Sequence, residues 1–159
     1  MEISVLNLGI SLVFGILYIY SFAKLFGNFI EKISPTKNNA LRILFYGALL
    51  SAGINLIYIY DSSSASIKFF LSEDNFINAF IYSSGFYIGM WLFSFLFIRG
   101  TFFIISMLTP EDEKIELAKN NIDIAILHSI SLIILSFLIG PSIAEIASNF
   151  IPYPELPFN

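Results

Sequence analysis

The chain has 159 residues, 12 acidic and 8 basic, a formal net charge of −4 and no cysteine. It is 57% hydrophobic and only 13% charged, with a mean hydropathy of +0.80, whereas an ordinary soluble domain is about a quarter charged. So small a fold cannot hide that much apolar side chain from water, so lipid must be its solvent; the missing cysteines exclude disulfides, thiolate catalysis and cysteine-ligated metals.

Four segments are long enough to cross a bilayer core, which takes about 20 apolar residues in a helix. The first runs from about Ile3 to Phe26. It follows Glu2 and lacks a basic leader and an A-x-A cleavage site, so it reads as a retained helix rather than a signal peptide. The second runs from about Leu41 to Tyr60. After it, "DSSSASIKFFLSEDN", residues 61–75, reads as an external loop. The third runs from about Phe76 to Leu108, too long for one simple span. The fourth runs from about Ile122 to Ile139; Gly140-Pro141 is expected to break it, and "SIAEIASNFI" to follow as a short interfacial helix. Three prolines in "PYPELPFN", residues 152–159, predict an extended tail.

Charge predicts the orientation. Of the eight basic residues, only Lys68 falls in the middle loop; Lys24, Lys32, Lys37, Arg42, Arg99, Lys114 and Lys119 flank the other two connections. The positive-inside rule makes those connections cytoplasmic and both termini external. Arg99 is then expected at the inner headgroup level, and "GTFFIISMLTP" projects beyond it as apolar helix.

The two cytoplasmic connections resemble each other. Lys24 lies eleven residues before Pro35, and Arg99 eleven before Pro110. Ser34-Pro35 matches Thr109-Pro110, and Lys37-Asn38-Asn39 matches Lys119-Asn120-Asn121 after seven extra residues. Proline stops each descending helix, and Asn39 and Asn121 are expected to cap the ascending ones. The predicted fold is an all-α membrane protein whose four transmembrane helices form a tandem repeat of two αα-hairpins. Residues 1–60 make one hairpin and 76–151 the other.

"TPEDEKIELAKNNIDIA", Thr109 to Ala125, resembles the signature of the YjfL-type bacterial inner-membrane family, called domain of unknown function 350. Thr109, Pro110, Asp112, Glu113, Asn121 and Ala125 fall in frame; Asn120 stands where the family has Gly, and Pro141 comes a few residues late. The resemblance implies four helices in tandem repeat, an inner-membrane location, a connection with envelope stress for some members, and no enzyme activity.

Arg99, Phe102, Ile105, Thr109, Pro110, Asp112 and Glu113 form the candidate cytoplasmic partner surface, with Glu113, Lys114 and Glu116 expected on exposed faces of a short helix and Ile115 and Leu117 toward lipid or protein. His128, the only histidine, is expected inside the hydrocarbon; with Asp123 and Asn55 it makes a candidate intramembrane polar site. Asp123, two residues after the cap, also suits a helix N-terminus, where the dipole favours an anion. Gly85 and Gly89, and Gly47 with Ser51, have small-xxx-small spacing for close helix packing. No phosphate-binding loop, nucleophile elbow or metal-ligand cluster occurs, so no catalytic residue, metal or cofactor is expected, and basic residues are too few for nucleic acid. The expected partners are the bilayer, further copies of the chain, and a soluble cytoplasmic protein. The leading expectation is a non-enzymatic inner-membrane subunit; the alternatives are a small oligomeric channel or transporter and a membrane-perturbation sensor coupled to a cytoplasmic effector.

Overall fold

The computed structural model describes residues 2–34, 38–73, 75–108 and 112–151. Pro35, Thr109, Pro110 and the tail from 152 onward lie outside the described residues. Five helices follow one another: α1 (Glu2–Ile33), α2 (Asn39–Ser72), α3 (Phe76–Leu108), α4 (Glu113–Ala118) and α5 (Ile122–Ser148). All but α4 are long and apolar enough to span a membrane. The 34 residues of α2 reach ~51 Å at ~1.5 Å per residue, against a hydrocarbon core of ~30 Å. The bundle therefore projects beyond the lipid.

The outer surface is what lipid requires. Val5, Leu12 and Ile16 on α1, Ile77, Ile88 and Leu96 on α3, and Ile130, Ile134 and Leu138 on α5 are all exposed. In water such a belt would drive aggregation; in hydrocarbon it costs nothing. Inside, α2 is the central helix and packs on each of the others. Tyr18, Phe22 and Phe26 stack at i, i+4 spacing along the buried stripe of α1, with ring centroids 6.4 and 5.9 Å apart.

The segment read as an external loop is helical through Ser72. Three consecutive serines resemble turn sequence, but in a central helix successive side chains turn through ~100° and reach three different neighbours. Ser62 donates to the Ala144 carbonyl of α5, Ser63 bonds to Ser83 of α3, and Ser64 accepts from Asn7 of α1. Small hydroxyls let backbones approach and then join them. The same glue recurs lower down, where Ser51 meets Ser136 at 2.6 Å, and Tyr18, Ser94 and Asn55 form a chain of 2.7 and 2.9 Å bonds.

Nor does Gly140-Pro141 break the last helix, since α5 runs unbroken to Ser148. Membrane helices tolerate proline where neighbours hold the segment. Here Ser62 holds Ala144, Ile143 and Ala147 pack on the core, and Gly140 lies against the ring of Tyr58.

The small-residue pairs separate. A methyl group on Gly47 would collide with Ser129, so Gly47 and Ser51 do bring α2 against α5. Around Gly85 and Gly89 there is open space, so this pair joins no helices within the chain.

Candidate functional site: a clasped cap at the basic end

Lys24, Lys32, Arg42, Arg99, Lys114 and Lys119 all belong to the half of the bundle where α1 and α3 end and α2 and α5 begin. This basic end is closed by α4 and its flanking asparagines.

The cap of α2 is Asn38, one residue earlier than expected. Its backbone is extended (φ −103, ψ 169) and its Oδ1 accepts the Leu41 N–H at 2.8 Å. Asn39 is instead the first helical residue. The amide end of Asn38 donates to the carbonyls of Leu117 and Ala118, 2.8 and 3.2 Å away, tying α2 to α4. Asn120 returns the contact, its Oδ1 accepting the Ala40 N–H at 3.0 Å. Asn120 also ends α4 in the left-handed region (φ 68), with Asn121 N–H on Glu116 and Asn120 N–H on Leu117. That is a Schellman closure, normally given to Gly and tolerated by Asn. Asn121 caps α5 as expected, accepting from Asp123 and Ile124 and donating to Glu116. Lys119 and then Asn121 hold the Glu116 carboxyl below the usual carboxylate range.

Within this cap Glu113 departs from expectation, whereas Leu117 is buried and Lys114 exposed as expected. Asp112 caps it through the Lys114 N–H. Glu113 and Leu117, four residues apart and so on one face, are buried, whereas Ile115 is exposed. Glu113 points at His128: its Oε2 lies 3.3 Å from Nε2, and both side chains are sealed from solvent. The approach lacks hydrogen-bond alignment, and Nε2 has no other partner. On the far side of the ring, Nδ1 lies 3.0 Å from the Ile124 carbonyl and must donate to it. In that tautomer a neutral imidazole turns the Nε2 lone pair toward the carboxyl. Phe102 covers the imidazole, centroids 4.5 Å apart, and Phe29 covers Phe102 at 5.8 Å.

The candidate residues thus sort into three places. Glu113, His128 and Phe102 converge. Asn55 is remote, bonded to Ser94, and Asp123 is exposed at the start of α5. Phe102 and Ile105 are buried inside the chain, so neither can offer itself to a partner; Phe103, Ile104 and Met107 are exposed in their place. Arg99 is exposed, its guanidinium 5.9 Å above the Phe95 ring. His128 is level with Phe102, three residues or ~4.5 Å past Arg99 toward the basic end. The imidazole sits beneath α4, against Glu113 and Phe102. Among the described residues no third acid or imidazole joins the pair to make a metal site.

Asn38 and Asn120 stand in the repeat with no capping role expected of them, and Tyr18 and Ser94 stand in no motif. The doubled asparagines were the signal for the first two. A hydroxyl on the buried stripe of an apolar helix was the signal for the others.

Four long apolar helices with lipid-type surfaces and hydroxyl-joined interiors define a multi-pass membrane protein. The family model described as Domain of Unknown Function (DUF350) matches residues 3–143, and the chain belongs to that family. No curated protein and no solved structure matches it.

Proposed function

We propose that the chain is a non-enzymatic subunit of a bacterial inner-membrane assembly, with its basic end in the cytoplasm as the surface a partner reads. The carrying observation is the helix beyond Arg99: Phe103, Ile104 and Met107 are exposed there, and Ile115 is exposed on α4. Large apolar side chains exposed at a polar membrane boundary suit a protein contact. The clasped α4 would keep this surface in one shape. The reading also keeps the two halves as tandem hairpins, since Asn38 of the first connection holds the second and Asn120 of the second holds the first. Interior polar groups support a structural role over a channel lining, because Ser51, Ser63, Asn7 and Tyr18 bond across helices to one another's neighbours.

The test is Phe103→Asp with Met107→Asp, compared with wild type by native mass spectrometry after mild extraction from the source membrane. The double variant should keep its melting temperature and lose the associated protein. Unchanged recovery of that protein would overturn the reading.

A further inference from the structure

Beside the clasped cap, the basic end has a second feature that the partner reading does not use. A groove of about 540 Å³ lies between α1 and α2, within the ~300–1,000 Å³ of ordinary ligand sites. Its α1 wall carries Lys24, Asn28 and Glu31, at i, i+4 and i+7 on one face; its α2 wall carries Asn38, Arg42 and Tyr46. The acid and the two bases stay apart, and among the described residues neither base is in an ion pair. The lining charge sums to +1, from Lys24 and Arg42 against Glu31, which is the complement of one phosphodiester.

The position of the groove selects the source of that phosphodiester. From Lys24 to Glu31 is ~10 Å along the helix axis. This is comparable to the headgroup layer on one side of a bilayer, ~5–8 Å by difference of total and hydrocarbon thickness. One turn toward the membrane centre from Tyr46, Leu50 is exposed; Tyr46 is itself 66% and Leu50 56% exposed. The groove therefore opens sideways onto the lipid-facing surface, where a glycerol and its chains would lie. Basic pockets between membrane helices recognise lipid headgroups in this way. In the second half the comparable end is closed by α4 and the Glu113–His128 contact.

We propose that this groove seats the phosphodiester headgroup of a membrane phospholipid, held by Lys24 and Arg42, with the aromatic face of Tyr46 against the glycerol. Glu31 opposes the negative charge and limits affinity for purely anionic headgroups. The site is independent of the partner surface, and its residues do not overlap Phe103 or Met107.

The test is native mass spectrometry of delipidated protein titrated with phosphatidylglycerol in detergent. Lys24→Gln with Arg42→Gln should weaken binding of the first lipid by about twenty-five-fold, at roughly a factor of five per basic residue. Lys32→Gln with Lys114→Gln, basic residues outside the groove, should leave it unchanged. Glu31→Gln should bind phosphatidylglycerol more tightly than wild type, a gain that misfolding cannot imitate. Equal binding by wild type and the Lys24/Arg42 variant would overturn the site, as would an equal loss in the Lys32/Lys114 control. Displacement of the lipid by millimolar inorganic phosphate would overturn the headgroup assignment in favour of a soluble anion.

Discussion

Removing Glu113 should cost more than a surface acid can, because of what it leaves behind. Glu113→Ala strips the carboxylate from beside Nε2 of a fully buried imidazole and leaves a cavity in its place. A buried polar group that loses its electrostatic neighbour costs ~1–3 kcal/mol, rising to ~3–5 kcal/mol if the imidazole is left charged. His128→Phe keeps the ring against Phe102, 4.5 Å away in the native packing, but takes the imidazole away from the buried carboxyl. Glu113→Leu with His128→Phe removes both polar groups and fills the space, and such paired replacement is often close to neutral. The two single variants should therefore each destabilise by more than ~1 kcal/mol, and the double variant by less than their sum by at least that much. Reversible unfolding of the purified protein in mixed detergent–SDS micelles measures all three. Additivity within ~0.5 kcal/mol, the figure for independent sites, would refute the clasp.

Gly47→Ala should destabilise by ~1–3 kcal/mol through overpacking against Ser129, while Gly85→Ala and Gly89→Ala, in open space, should be neutral or stabilising by up to ~1 kcal/mol; the same unfolding assay separates them. Asn120→Ala should cost ~1–2 kcal/mol for forcing an ordinary residue to φ 68, and Asn120→Gly should recover much of that while still losing the Ala40 contact. Phe102→Asp should abolish folded recovery because the ring is buried against Phe29 and His128, whereas Phe103→Asp should be recovered normally. The Glu116 carboxyl is held low by Lys119 and Asn121, so its contribution is present above the unfolded value and lost as pH falls through the lowered one; the melting difference between wild type and Glu116→Gln should shrink in acid.

Most of the architecture was legible because the bilayer imposes it. Runs such as Ile3 to Phe26 cannot be other than membrane helices, and the asparagines after each break marked the helix starts to within one residue. What failed were inferences from polarity alone. Ser62, Ser63 and Ser64 read as turn residues, yet in a helix surrounded by three others each hydroxyl finds a different neighbour. Glu113 read as solvated because charged residues normally are; its partner stands fifteen positions further along the sequence, and nothing local records the roll of a six-residue helix. Gly47 and Gly85 carry the same spacing signal, and only the distance to the facing helix tells the joining pair from the idle one. Pro141 carried a strong local signal for a break, which the packing of Ile143 and Ala147 overrode.

Orientation carries the whole functional proposal, and the cysteine-free chain makes it directly measurable. Single cysteines placed at Lys68 and at Lys114 lie at opposite ends of the bundle, near the end of α2 and in α4. In spheroplasts, a membrane-impermeant maleimide should label the Lys68→Cys protein at once and the Lys114→Cys protein only after the membrane is permeabilised. Immediate labelling at position 114 with protection at 68 would invert the molecule and remove the cytoplasmic partner surface.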